Sequence, residues 1–181
     1  KLFFRYGLTE AGPMVTRLRD EDVMRPELDG SIGQEYSFAE VELRDAVGNQ
    51  VPDGGLGEIC VRGPAVMLGY FEQQAATDAT LIDGWVHTGD IGQFDARGYL
   101  YIKGRLRDVV ITGGFNVYPL DVEDVLCRNS AVQEAVVFGL PDDKWGERVE
   151  AAITLRPGRG LGFRVSSLFS PQRLSSLREQ L

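Results

Sequence analysis

Tyr6-Gly7-Leu8-Thr9-Glu10 puts an aromatic ring, a hydroxyl and a carboxylate within five residues. A nucleotide site uses such groups as a flat surface for a base, a donor for a phosphate oxygen and an anionic ligand for Mg2+. A surface turn with a solvated Glu10 accounts for the same residues. Trp85 to Asp90 (WVHTGD) ends in Thr-Gly-Asp, which lets a carboxylate leave a tight turn and accept two neighbouring hydroxyls of the kind a ribose diol offers. An Asp that only caps the turn is the plainer alternative. His87 is the single histidine, and no GxSxG elbow or nucleophile accompanies it, so a packed or turn-stabilising imidazole is expected. Gly104 to Asp108 (GRLRD), followed by VVITGGFNVYP, joins a fixed cation at Arg105 to a side-chain-free Gly113-Gly114 pair. Arg105 can meet ribose or phosphate oxygens, and the glycines let backbone approach a narrow substituent. A hairpin turn flanked by solvated charge also fits.

These groups need elements to hold them. The glycines and terminal proline of YGLTEAGP, after the apolar Leu2-Phe3-Phe4, predict a loop. Alternation predicts strands over 38–43 and 57–62, with the turn-rich VGNQVPDGG between. The polar, alanine-rich stretch 72–81 predicts a short helix. Residues 91–94 and 99–102 flank Asp95-Ala-Arg-Gly98, a hairpin signature. Beyond Gly104 come a β-branched run (DVVIT), a helix over 120–129 started by Pro119, and strands at VQEAVVFG and VEAAITL separated by the loop LPDDKWGER. That order predicts a small α/β unit, with a boundary between Gly104 and Asp108. GRGLG lacks the strand-and-helix frame of a phosphate loop, and Ser170-Pro171 opens a last helix with Leu174, Leu177 and Leu181 on one face.

Composition excludes several classes. The 181 residues, 43% hydrophobic and 25% charged, suit a globular chain able to bury roughly two-thirds of its unfolded surface. A net charge of −8 without basic clusters argues against nucleic acid as a partner. Cys60 and Cys127 match no CxxC spacing and, with one histidine, make no zinc set. They read as buried thiols of a reducing, cytoplasmic compartment. No apolar run reaches the length of a transmembrane segment. Lysine is scarce: Lys1, Lys103 and Lys144 are the only amine-bearing side chains.

In order and spacing, YGLTEAG, GEICVRGPAVMLGY, DGWVHTGDIG, GRLRDVVITGGFNVYPLDVED and VQEAVVFGLPDDKWGERV resemble successive signatures of the adenylate-forming (AMP-binding) enzymes. The resemblance covers nearly all of residues 3–157, and GGFNVYP is closer to the acyl-CoA synthetase branch than to peptide-synthetase adenylation domains. It implies a mixed α/β fold: the end of the large domain with a β-rich subdomain over 1–104, then a truncated, mobile small α+β domain over 105–181. It implies activation of a carboxylic acid, as in fatty acid metabolism, with ATP and Mg2+ through an acyl-adenylate, then transfer to CoA. Peptide-synthetase chemistry or a non-catalytic nucleotide-binding remnant are the alternatives.

By motif, Tyr6 would border adenine, Thr9 would bond the α-phosphate, and Glu10 would hold Mg2+; Thr9 and Glu10 are the expected catalytic pair. Asp90 would clasp the ribose hydroxyls with Arg105 assisting, and Gly113 and Gly114 would line the pantetheine passage. Trp145-Gly146-Glu147 would belong to the small domain's surface. Arg107 stands at the hinge position, where Asp or Lys is usual, and Phe115 stands where an acidic residue is common. The family's Ser/Thr/Gly-rich phosphate loop and glycine-lysine motif do not occur in these 181 residues, so the chain reads as a piece of an enzyme, inactive alone.

Overall fold

The computed structural model describes residues 5–158; Leu2-Phe3-Phe4, the part of GRGLG beyond Gly158 and the expected last helix lie outside them. The chain divides into two compact units, Lys1–Leu106 and Arg107–Leu181.

In the first unit, β1 (Arg5–Leu8) and β2 (Gly12–Arg17) form an antiparallel hairpin where a loop was expected. The turn is Thr9-Glu10-Ala11, closed by the Ala11 N–H on the Leu8 carbonyl at 3.2 Å. Gly7 serves close approach rather than flexibility, since a Cβ there would lie 2.6 Å from the Gly12 carbonyl oxygen. Next come β3 (Ser31–Glu35), β4 (Glu40–Arg44), β5 (Leu56–Arg62), α1 (Gln74–Thr80), β6 (Leu81–Ile82), β7 (Trp85–Phe94) and β8 (Leu100–Arg105). β4 starts later than alternation suggests because the Ala39 N–H closes a turn on the Tyr36 carbonyl at 2.9 Å. α1 starts later because Glu72 has a φ of 53°. The strands make one sheet in the order β1-β2-β3-β8-β7-β5-β4, with β6 paired to β7. The DARG hairpin forms as expected: Asp95 Oδ1 accepts the Arg97 and Tyr99 N–H groups, both at 2.9 Å.

Inward-facing residues of these strands, Tyr6, Val15, Leu43, Ile59, Val61 and Leu100, form the main core. Val15, Ile59 and Leu100 have no accessible surface (0%). A second cluster, Leu18, Leu28 and Tyr99, is tied down by the Tyr99 hydroxyl donating to buried Asp22 at 2.8 Å.

The second unit contains β9 (Val110–Thr112), β10 (Phe115–Val117), α2 (Pro119–Cys127), β11 (Val132–Asp142) and β12 (Gly146–Leu155). All pairings are antiparallel, in the order β10-β9-β12-β11. Val122 and Leu126 of α2 pack on Val110, Val117, Val137 and Val149. Gly113 and Gly114 are the whole connection between β9 and β10; their φ values of 56° and 84° are those of a two-residue hairpin turn of mirror-image type, which only glycine enters freely. The expected loop LPDDKWGER is mostly strand: β11 and β12 pair as far as Asp142↔Gly146, leaving Asp143, Lys144 and Trp145 as the turn. Pro141 is tolerated because β11 is the sheet's edge among the described residues. On that edge the Val137 N–H donates at 2.7 Å to Glu123 of α2. Cys60 is buried as expected, but Cys127 is exposed, on the solvent side of the last turn of α2. The fold class is mixed α/β, rich in sheet. Among the described residues no helix is long and apolar enough to cross a membrane.

Candidate functional site

Asp90 lies inside β7, not in a turn. WVHTGD stays extended because Thr-Gly-Asp forms a bulge: Cys60 pairs with His87 and Glu58 with Ile91, so Thr88, Gly89 and Asp90 stand opposite Ile59 alone. Gly89 takes a φ of +72°, and the carboxylate of Asp90 is lifted from the ladder. Two groups hold it. The Tyr6 hydroxyl donates to Oδ2 at 2.7 Å, and Arg105 Nε lies 3.2 Å from Oδ1. Arg105 is cross-strand from Asp90 on β8, where Gly104, at φ +140°, accompanies a register shift between the strands.

The Asp90 side chain is 12% exposed and that of Arg105 57%, so the pair opens to solvent on the arginine side. Burial is the first cause raising the Tyr6 phenol far above its usual range; a hydrogen bond with Thr88 opposes it and Asp90 adds to it. Tyr6 therefore stays a proton donor, and its ring belongs to the core. Each Asp90 oxygen keeps a lone pair beyond its protein partner, enough to accept a pair of hydroxyls.

Thr9 is exposed on the turn that follows Tyr6, and Glu10 beside it is half-buried. The Tyr70 hydroxyl donates to Glu10 Oε1 at 2.6 Å, which raises the Tyr70 phenol, and the Met67 N–H bonds the Glu10 carbonyl at 2.8 Å. The loop after β5 thus fixes the Glu10 carboxylate while Oε2 accepts no hydrogen bond among the described residues. One oriented carboxylate with a free oxygen fits Mg2+, which takes one or two carboxylates and completes its shell with phosphate and water oxygens. Sequence reasoning missed Tyr70, although it closes the GEICVRGPAVMLGY motif.

The structure also brings together Glu58, Cys60 and His87, whose ligand atoms lie within 4.8 Å of one another, a grouping hidden from a search for Cys and His spacing. His87 Nδ1 is 2.7 Å from Glu58 Oε2 and 3.6 Å from Cys60 Sγ. Burial, before the nearby Glu58 charge, pushes the Cys60 thiol up to about 12. Nε2 of His87 is buried without a partner among the described residues. A metal ion on Nδ1 would send the imidazole proton to that position, where nothing accepts it. The cluster is better satisfied as a hydrogen-bonded one, with Nδ1–H donating to Glu58.

In the second unit, the Gly113-Gly114 turn is anchored by the Gly113 N–H on the Trp145 carbonyl at 2.9 Å, and Glu147 Oε2 accepts the Ile111 N–H at 2.7 Å. Lys144 Nζ sits 4.6 Å above the Trp145 ring. Trp145-Gly146-Glu147 thus braces the double glycine. Arg107 is 76% exposed, and its only ion pair among the described residues is with its neighbour Asp108 at 3.5 Å.

The AMP-binding enzyme family matches residues 2–71, and its C-terminal domain family matches residues 121–175. A medium/long-chain-fatty-acid–CoA ligase of Mycobacterium tuberculosis is 44% identical over 83% of this chain and 26% of its own length. A fatty acid–[acyl-carrier-protein] ligase of Streptomyces coeruleorubidus is 38% identical over 96% of this chain and 34% of its own. Among solved structures, the amide bond synthetase of Marinactinospora thermotolerans superposes with a TM-score of 0.79 at 36% identity, covering 97% of this chain and 34% of that one. The o-succinylbenzoate CoA synthetase of Bacillus subtilis, in complex with an acyl-adenylate intermediate, gives 0.76 at 35% identity, covering 99% and 34%. The chain therefore spans between a quarter and just over a third of the length of these relatives. With the YGLTE hairpin, the Asp90 bulge and the double-glycine turn all in the expected order, the chain belongs to the AMP-binding, adenylate-forming enzyme family.

Proposed function

We propose that this chain carries the ribose- and metal-holding part of an AMP-forming carboxylate ligase, followed by its small domain. The observation that supports it most is the convergence of Tyr6 and Arg105 on Asp90 from separate strands. A buried carboxylate held by two donors is a preset acceptor for a vicinal diol. Asp90 takes the ribose hydroxyls while Arg105, exposed at the mouth, offers a cation to ribose or phosphate oxygens. Thr9, on the turn after Tyr6, donates to an α-phosphate oxygen. Glu10, oriented by Tyr70, holds Mg2+, which when bound screens the negative charge of the triphosphate.

Carboxylate oxide is a poor leaving group and AMP a good one, so a carboxylic acid activated by ATP becomes open to attack by a thiol. CoA is the thiol we assign, because GGFNVYP resembles the acyl-CoA synthetase branch and the fatty-acid–CoA ligase shares 44% of its residues over the matched span. In that reading Gly113 and Gly114 line the pantetheine passage and Arg107 is the pivot between half-reactions. The unpaired cysteines fit a reducing, cytoplasmic setting. The test is a calorimetric or NMR titration of the chain with AMP, with and without Mg2+. Binding that Asp90→Ala weakens by about two decades supports the reading, and binding that ignores Asp90 overturns it.

A further inference from the structure

We propose that Glu58 and His87 are positioning residues for the ribose clasp, acting on Asp90 through the Gly89 bulge. The proposal rests on the ribose reading of Asp90.

Three residues, Thr88, Gly89 and Asp90, face Ile59 alone, so the strand ladder cannot serve all their backbone groups. Side chains serve them instead. The Gly89 N–H donates to Glu58 Oε1 at 2.9 Å, the Asp90 N–H to Thr88 Oγ1 at 3.1 Å, and the Thr88 hydroxyl to the Ile59 carbonyl at 2.8 Å. Glu58 is the only one of these acceptors that arrives on a long side chain, which must itself be fixed. His87 fixes it, with Nδ1 donating to the second oxygen, Oε2, at 2.7 Å. Both side chains are about one-sixth exposed, at 16% and 17%, so water competes weakly for the bond. Cys60, without accessible surface, lies against the same nitrogen, with Sγ 3.6 Å from Nδ1.

The placement matters because Asp90 must meet Tyr6 on β1 and Arg105 on β8 together. A shift of the bulge by a fraction of an ångström loosens both contacts at once. Neither Glu58 nor His87 contacts Asp90's carboxylate, so their effect travels through the Gly89 amide. This gives the single histidine a role that needs no proton transfer to substrate.

The test compares Glu58→Ala, His87→Ala and His87→Asn, the last keeping a donor near the Nδ1 position, in the full chain. Affinities for AMP and for 2′,3′-dideoxy-AMP are measured, with amide hydrogen exchange at Gly89 in the free chain. The expected result is that Glu58→Ala and His87→Ala weaken AMP by about tenfold, leave the dideoxy nucleotide unchanged and speed Gly89 exchange, while His87→Asn restores both. In an Asp90→Ala background, Glu58→Ala should weaken AMP no further. Equal loss of both nucleotides, an unchanged AMP preference, or unchanged Gly89 exchange overturns the latch. A wild-type chain that binds the two nucleotides equally, or binds neither, overturns the ribose reading beneath it.

Discussion

The Tyr6 hydroxyl reaches Asp90 Oδ2 at 2.7 Å across 84 residues of chain, tying the first hairpin to the bulge of β7. The bond is buried and charge-assisted, so its partners depend on each other: without Asp90 the phenol is an orphaned donor, and without Tyr6 the carboxylate loses its inner support.

Asp90→Ala should lower AMP affinity by about two decades, or roughly 3 kcal/mol, if two charge-assisted bonds are lost and water recovers part of them. Tyr6→Phe should lower it less, by about one decade, because Arg105 still holds the other oxygen. Titration calorimetry on variants with native circular dichroism checks both; equal affinities for Asp90→Ala and wild type would remove Asp90 from the site.

Alkaline stability carries a second signature. The Tyr6 phenol is raised in the folded state above its ordinary value of 10.0, so the folded protein retains a proton that the unfolded chain releases. Its contribution is complete below pH 10 and declines as pH climbs past that value toward the folded one. Tyr70 and Tyr99, also raised, add to the decline. The stability advantage of wild type over Tyr6→Phe should therefore shrink in urea melts above pH 10 and stay constant between pH 7 and 9. A gap that widens with pH would contradict the assignment.

Tyr70→Phe should leave the fold intact and free the Glu10 carboxylate to rotate. The expected loss is about tenfold in the Mg2+ dependence of nucleotide binding, the scale of one hydrogen bond to a charged group. Nucleotide binding without metal should be unaffected, and a loss in both conditions would place Tyr70 against the nucleotide itself.

Gly114→Ala meets no steric obstacle, since nothing lies within 4 Å of the new Cβ, but it must hold a φ of +84°. Stability of the second unit should fall by about 1 kcal/mol from backbone strain alone. The 2 to 5 kcal/mol typical of large-to-small changes in a core is expected instead for Ile59→Ala and Leu100→Ala. Leu68→Ala, at a side chain fully in solvent, should stay within about 0.5 kcal/mol. Denaturant midpoints rank the four.

What could be read in advance followed from local chemistry. Asp95 and Gly98 mark their hairpin because turn geometry needs those side chains, and Pro119 marks the start of α2 because its missing N–H costs nothing there. Thr9-Glu10-Ala11 carries no such mark, so the first hairpin was hidden: its strands are defined by pairing with each other rather than by their turn. Gly89 misled in the opposite sense, since a glycine that reads as a breaker here sits in a bulge that lets the strand continue. The meeting of Tyr6, Asp90 and Arg105, and that of Glu10 with Tyr70, are products of sheet order. Single-segment patterns do not encode which strands become neighbours, so motif resemblance named most of these residues without showing that they touch.

The Glu123–Val137 bond bears on how copies of this protein meet one another. Val137 and Pro141 fall four residues apart on the edge strand β11, so their backbone nitrogens share one side of it. One nitrogen is spent on Glu123 and the other bears no hydrogen. A strand from another molecule that tried to lengthen the sheet at β11 would find two of the three donor positions at 137, 139 and 141 unavailable, with the acidic helix α2 beside them. The exposed Val136 and Phe138, which would otherwise make this edge adhesive, thus lie within a stretch of backbone that has lost its outward donors on both sides of Gly139.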